Sequence, residues 1–259
     1  MTTTIDWSRT AADYAAHRAG FPDDFYGRLA GYGIVSAAAG PRLALDLGTG
    51  TGLLARGLAK RGWRVTGLDI SADMVAAARR LDAAAGVPVD YVVAPAEATG
   101  QPDRSFDLVT AGTCWHWFDR PKAAREARRV LADGGWLVIC AMDWSTAPGN
   151  IVEATTALVE KHNPSLRDSG ASGLRSAWAD ELPEAGFGGI QRFHFTAIIP
   201  YSHVGWRGRI RASAGVGPSL SPAAVEAFDR EHADLLQARF AEEPLQVPHR
   251  ISAIVARAV

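Results

Sequence analysis

The sequence predicts an α/β fold: a doubly wound, mostly parallel sheet of seven strands, with an antiparallel C-terminal strand and a helical cap. Two observations carry that reading. Short apolar runs at Arg42–Leu47, Arg64–Asp69, Val87–Val93, Phe106–Ala111 and Trp136–Met142 alternate with stretches of helical spacing. That alternation belongs to parallel sheets covered on both faces, whose buried strands read as continuous apolar segments. The first run also leads into Gly48-Thr49-Gly50-Thr51-Gly52, three glycines at alternate positions before a helix.

Pro22 to Ala39 reads as the first helix, with Asp23 and Asp24 suited to its positive end. The next spans Leu53–Arg61 and stops at Gly62. Ser71 caps a third, whose apolar positions Met74, Val75, Ala78 and Leu81 keep helical spacing until Gly86. Lys122–Leu131 is a fourth, closed by Asp133-Gly134-Gly135. Beyond Met142 the pattern breaks, with a helical stretch near Ile151–Lys161 inside a Gly-, Ser-, Asn- and Pro-rich segment. Ala177–Ala185 resumes as helix, Ile190–Pro200 and Leu245–Val259 read as a closing antiparallel pair, and Pro222 to Ala241 is a helix started by Ser221-Pro222. The expected organisation is one domain over 1–259: a helical segment 1–40, a core 41–143, and cap insertions at about 144–175 and 201–243.

Right-handed crossovers bring the loops after the strands to one sheet edge. There the glycine turn lets the backbone approach a ligand closely. The spacing is G-x-G-x-G, with Leu53 and Leu54 where the dinucleotide pattern G-x-G-x-x-G has its third glycine. Asp46, two residues before the first glycine, would repel a pyrophosphate and attract an ammonium, such as that of S-adenosylmethionine. Asp69 ends the second strand, where a carboxylate accepts hydrogen bonds from ribose hydroxyls. A tight turn without a ligand is the bland alternative.

Asp46 to Gly52, Asp69-Ile70-Ser71 and Ser105-Phe106-Asp107-Leu108-Val109 resemble the class I S-adenosylmethionine-dependent methyltransferases. Trp115-His116-Trp117-Phe118-Asp119 is similar to a narrower, small-molecule group of the trans-aconitate type. The resemblance covers roughly residues 10–145. It implies a Rossmann-like fold, S-adenosyl-L-methionine as cofactor with S-adenosyl-L-homocysteine as product, and a small-molecule acceptor. It adds Thr49 and Thr113 to the cofactor-binding set. Ala96 and Glu97 would flank the adenine, and Ile70 and Met74 would touch adenine and ribose, or else serve as core. Tyr14 and Arg18, four apart on one helical face, would fold over the methionine tail, or be an ordinary surface segment.

His116 is the candidate general base, the alternative being packing between two tryptophans. Trp115, His116, Trp144, Tyr201, Trp206 and Arg209 are expected to line the acceptor pocket, with the arginines of Trp206-Arg207-Gly208-Arg209-Ile210-Arg211 able to hold a carboxylate or to form a solvated, salt-bridged lid helix. The Asn/Asp-Pro-Pro-aromatic motif of enzymes acting on amide or nucleobase nitrogen is absent. Transfer to O, N or C of a metabolite is the leading reading; a cyclisation on the same scaffold is the alternative.

A net charge of −1 gives no pull toward nucleic acid or anionic membranes. The longest apolar run is far too short to span a bilayer. The polar N-terminus indicates no secretion signal, so a cytoplasmic monomer or homodimer is expected. No residue cluster has metal-ligand spacing, and Cys114 and Cys140 read as buried thiols rather than a disulfide.

Overall fold

The computed structural model describes residues 13, 16–34, 42–165, 174 and 176–259. Seven strands form one sheet: β1 (Arg42–Leu47), β2 (Trp63–Asp69), β3 (Asp90–Val93), β4 (Phe106–Gly112), β5 (Leu131–Trp144), β6 (Phe187–Tyr201) and β7 (Leu245–Ala258). Their order is β3-β2-β1-β4-β5-β7-β6. The first five run parallel, and the C-terminal strands are antiparallel. The sheet reverses its winding at β1, so the loops after β1 and β4 diverge and leave a crevice at their carboxyl ends. The helices are α1 (Asp23–Gly31), α2 (Leu53–Ala59), α3 (Ala72–Ala85), α4 (Arg120–Val130), α5 (Ile151–His162), α6 (His203–Arg211) and α7 (Pro222–Arg239).

The chain clusters into two compact units. One comprises Gly20–Asp143, Gly173–Phe195 and Arg250–Val259. Its core joins Leu45, Leu47 and Val109 of the sheet to Ala123, Ala127 and Val130 of α4, and Trp178, Leu182 and Phe187 complete it. The other comprises Met1–Ala19, Trp144–Ser172 and Thr196–His249. Its core is built from α5, α6 and α7 around Trp206, Phe228 and Leu236.

Four elements differ from expectation, three through local chemistry and one through a tertiary contact. The first helix ends at Gly31 rather than Ala39. Gly33, at φ 77°, and Ile34 turn back to bond the Ala30 and Leu29 carbonyls; residues 35–39 lie outside the described set. The third strand begins at Asp90, beyond Pro88, which cannot donate to a ladder. The helix α4 stops at Val130, because the amides of Arg104 and Ser105 take the Arg129 and Val130 carbonyls. Leu131 then opens β5 opposite Phe106, and Asp133-Gly134-Gly135 lies within an irregular start to that strand. Ala177–Ala185 is not a continuous helix but two short 3₁₀ turns, Ser176–Ala179 and Pro183–Ala185. Pro183 lacks the amide a continuing helix needs. The segment read as a carboxylate clamp or a salt-bridged lid helix is helical: α6 is capped by Ser202 through the Gly205 amide at 3.0 Å.

Candidate cofactor site

The turn after β1 is held from three sides. The Thr49 amide bonds the Leu68 carbonyl at 2.9 Å, tying the turn to β2. Asp69 accepts the Gly50 amide on Oδ2 at 2.8 Å and the Ser71 amide on Oδ1 at 2.9 Å. One carboxylate at the end of β2 thus fixes both the turn and the start of α3. Each oxygen keeps a further lone pair for the ribose hydroxyls assigned to it above. Cys114, whose thiol donates to the Leu47 carbonyl at 3.1 Å, packs with Phe118 behind Gly48. Both cysteines are buried and not disulfide-linked.

Gly50, at φ 56°, borders open space: a Cβ there would meet no atom within 4 Å. Gly52, at φ 78°, is closed from below, since a Cβ would overlap the Tyr91 hydroxyl. The turn therefore has an open side at Gly50 and a sealed side at Gly52. Apolar surface lies along the same sheet edge. Ile70 is 76% exposed, and Val93, which pairs in register with Asp69, is 51% exposed. Large apolar side chains left in water at a strand terminus mark a ligand surface more than a core. Met74 is half-buried, and its amide is bonded by Ser71 Oγ at 3.3 Å.

Asp46 departs from its expected role. It is buried rather than turned to the ligand side. Oδ2 accepts the Thr49 hydroxyl at 2.7 Å, and Oδ1 accepts the Thr110 hydroxyl at 2.6 Å. Burial pushes its pKa up to about 6, against those two hydrogen bonds. It braces the turn through Thr49 and does not present a carboxylate to an ammonium. Glu97 is engaged too: Oε1 accepts the Asp119 amide at 2.8 Å. Ala96 is a core residue beside it.

Thr113 leaves β4 with φ 61°, its amide bonded to the Cys140 carbonyl at 2.8 Å. That left-handed turn leads into the 3₁₀ segment Trp115–Trp117. One turn of three residues sends Trp115 inward and the next two outward. Trp115 lies in the core edge-on to Phe118, at 5.7 Å, so it is packing rather than pocket lining. His116 is exposed, its ring 4.7 Å from that of Trp117, and Trp117 is 63% exposed. Trp117 is the outward-facing aromatic of this segment.

The remaining expected residues belong to the second unit. Tyr14 lies outside the described residues. Trp206 is fully buried in that unit's core and donates its indole N–H to Thr155 Oγ1 at 3.1 Å, so it supports rather than lines a pocket. Tyr201 is buried between Trp206 and His249, at 5.3 and 6.1 Å. Its hydroxyl makes no hydrogen bond of ordinary geometry. Burial raises its pKa, while the charges of Arg209 and Arg18 act against that rise. Arg209 lies over the Trp144 ring, 4.8 Å from its centroid. Its neighbours are committed elsewhere: Arg207 bonds Asp229, and Arg211 bonds Asp13 at 2.9 Å and Asp229 at 2.8 Å. Among the described residues no carboxylate pairs with Arg209.

Residues 45–139 match the family described as "Methyltransferase domain". Over that stretch the chain is similar to a methyltransferase domain. Its matched stretch runs from β1 into β5 and contains the whole turn. The domain is similar to the demethylmenaquinone methyltransferase of Thermus thermophilus, with 45% identity over 102 residues, 38% of this chain and 46% of that protein. It is also similar to the malonyl-[acyl-carrier protein] O-methyltransferase of Enterobacter lignolyticus, 35% identical over 142 residues, 52% of this chain and 55% of that one. The chain thus spans about half the length of these curated relatives. In fold it resembles the Haemonchus contortus phosphoethanolamine N-methyltransferase 2 solved with S-adenosyl-L-methionine. The TM-score is 0.56 at 21% identity, over 97% of this chain and 56% of that one. Among the described residues, no helix is long and apolar enough to cross a membrane, and no cluster of His, Cys, Asp and Glu could hold a metal ion.

Proposed function

We propose that the protein transfers the methyl group of S-adenosyl-L-methionine to O, N or C of a small-molecule acceptor. The observation that carries this is the juxtaposition at the ends of β1, β2 and β3. An open glycine at position 50, the Asp69 carboxylate, and exposed Ile70 and Val93 stand together inside a stretch similar to a methyltransferase domain. Those groups fit the cofactor: a backbone that a sugar can approach, an acceptor for ribose hydroxyls, and apolar surface for a purine. When bound, the cofactor supplies an already activated methyl group.

The chain's own contribution is placement and exclusion of water. Alignment of nucleophile and methyl group can lower a barrier by about 7–11 kcal/mol. We assign cofactor contacts to Gly48, Thr49, Gly50, Asp69, Ile70, Met74 and Thr113, with Val93 added. Arg18 is kept for the methionine end. His116 takes the proton where the acceptor is a hydroxyl or an ammonium; a carboxylate acceptor needs no base. Arg209 supports an anionic acceptor. A half-buried guanidinium with no carboxylate partner retains its desolvation cost until an anion meets it. Trp144 beneath it adds an aromatic wall, and the buried Tyr201 hydroxyl beside Arg209 adds a polar group.

The test is isotopic. The protein is incubated with methyl-labelled cofactor and a metabolite extract, and products are resolved by mass spectrometry. A labelled product heavier by one CH₂ is expected, diminished in Arg209→Gln while cofactor affinity stays unchanged. Conversion of a metabolite without that gain would favour a rearrangement and reject methyl transfer.

A further inference from the structure

Beneath the sealed side of the turn lies a buried carboxylate that neither the fold nor the chemistry above explains. Asp82 sits on the inner face of α3, in register with Val75 and Ala78, where an apolar residue belongs. It is 4% exposed. Its Oδ1 accepts Arg56 Nε, and its Oδ2 accepts the Tyr91 hydroxyl at 2.6 Å. Arg56 donates through its other branch to the Thr51 carbonyl at 2.9 Å. The Tyr91 ring lies against Gly67, where a Cβ would sit 2.6 Å from Cε1, and its oxygen lies directly under Gly52. Three elements, α2, α3 and β3, therefore send one side chain each to the underside of a single turn.

We propose that Asp82 is a positioning residue for the cofactor: through Arg56 and Tyr91 it holds Thr51 and Gly52 in the conformation that receives the ligand. The proposal rests on the turn being the cofactor site. Gly50 and Gly52 both stand in the left-handed region, at 56° and 78°. Glycine visits other regions about as readily, so nothing intrinsic to the residue keeps the turn in that state. External contacts must select it. Arg56 reaches the carbonyl just before Gly52, and Tyr91 fills the space below it. Both are oriented by one carboxylate, which is worth burying only because it is bonded on both oxygens. Tyr91 remains a protonated donor, since burial and the Asp82 charge both raise its pKa.

The loss expected on removing Asp82 follows from population arithmetic. If the receptive conformation falls to about one tenth, apparent affinity falls about tenfold, with no change in the contacts made once bound. The experiment compares wild type, Asp82→Asn and Tyr91→Phe in the full chain. Amide hydrogen exchange is measured without ligand and with saturating S-adenosylhomocysteine, and its affinity is measured by calorimetry. The expected result in Asp82→Asn is roughly tenfold faster exchange confined to residues 48–56, unchanged exchange in β5 and β7, and about tenfold weaker binding. Saturating ligand should restore protection. Tyr91→Phe, which removes one hydroxyl, should move both readouts in the same direction by a smaller factor, and it stands in if Asp82→Asn does not fold. Unchanged exchange at 48–56 overturns the proposal. So does acceleration spread evenly over all strands, which would make Asp82 a general structural residue. A wild-type chain that binds no S-adenosylhomocysteine overturns the cofactor reading instead; the exchange of the ligand-free variants still decides whether Asp82 holds the turn.

Discussion

Gly50→Ala and Gly52→Ala should fail in opposite ways. Both positions stand at positive φ, where a Cβ costs about 1–2 kcal/mol. At Gly50 that is the whole structural cost, because the added methyl meets no atom within 4 Å. Its effect falls on the ligand, which needs the same space. We expect Gly50→Ala to fold with a modest loss of stability and to bind S-adenosylhomocysteine about 100-fold more weakly, about 2.7 kcal/mol. At Gly52 the methyl would overlap the Tyr91 hydroxyl, which cannot withdraw without breaking its bond to Asp82. Overpacking adds about 1–3 kcal/mol to the backbone strain. Gly52→Ala should therefore lose about 3 kcal/mol or more and melt at a much lower temperature. Thermal unfolding alongside calorimetric titration separates the two. Equal stability losses, or unchanged affinity in Gly50→Ala, would show that the open side has been wrongly identified.

The second large effect is acid lability. His232 and His249 are buried, and burial pushes each pKa down to about 4. His232 shares a hydrogen bond with Thr155 Oγ1 at 3.3 Å, and His249 Nδ1 donates to the Val247 carbonyl at 3.0 Å. The unfolded chain binds these protons near pH 6.5, while the folded chain refuses them until about pH 4. Between those values the unfolded state holds more protons, so stability falls as pH falls. Each histidine contributes a loss of about 3 kcal/mol by pH 4. Asp46 acts the other way. Its folded pKa of about 6 lies above the ordinary 3.8, so the folded state binds its proton first and gains about 2 kcal/mol by pH 4. The histidines win, leaving a net loss of about 4 kcal/mol between pH 7 and pH 4. Glu126, held at about 2 chiefly by Arg129, adds to the loss below pH 4.5. The melting temperature should drop by about 10 °C over that range. His232→Asn should flatten the profile, and Asp46→Asn should steepen it by removing the opposing term. A melting temperature that rises on acidification would reverse the sign of this account.

Most of the parallel half of the fold could be read from residue pattern, where an element announces its own boundaries. Ser71 caps α3 and Gly86 ends it, and the glycine turn separates β1 from α2 by local chemistry alone. Elsewhere a tertiary contact overrides the local signal. Asp133-Gly134-Gly135 looks like a helix stop, yet α4 is ended by amides arriving from Arg104 and Ser105, a partner that no local pattern displays. The site divides in the same way. Asp69 and Gly50 keep the places that spacing gave them, because both follow directly from a strand end. Asp46 was misjudged, since facing Thr110 of β4 is a cross-strand fact. Trp115 is turned into the core, and Trp117 left outward, by the sense of one 3₁₀ turn. Asp82 did leave a trace: an acid at the seventh position from Val75 interrupts the apolar stripe of α3. The second unit was least legible, because α6 is glycine- and arginine-rich and is defined by its cap and by the core around Trp206.

The most direct measurement is a calorimetric titration of the folded full chain with S-adenosylhomocysteine, with wild type and Asp69→Ala side by side. Saturable binding at one site per chain is expected, lost or weakened at least tenfold when Asp69 releases the Gly50 amide and the ribose together. No heat from a wild-type chain of intact secondary structure would contradict it, as would undiminished binding in Asp69→Ala.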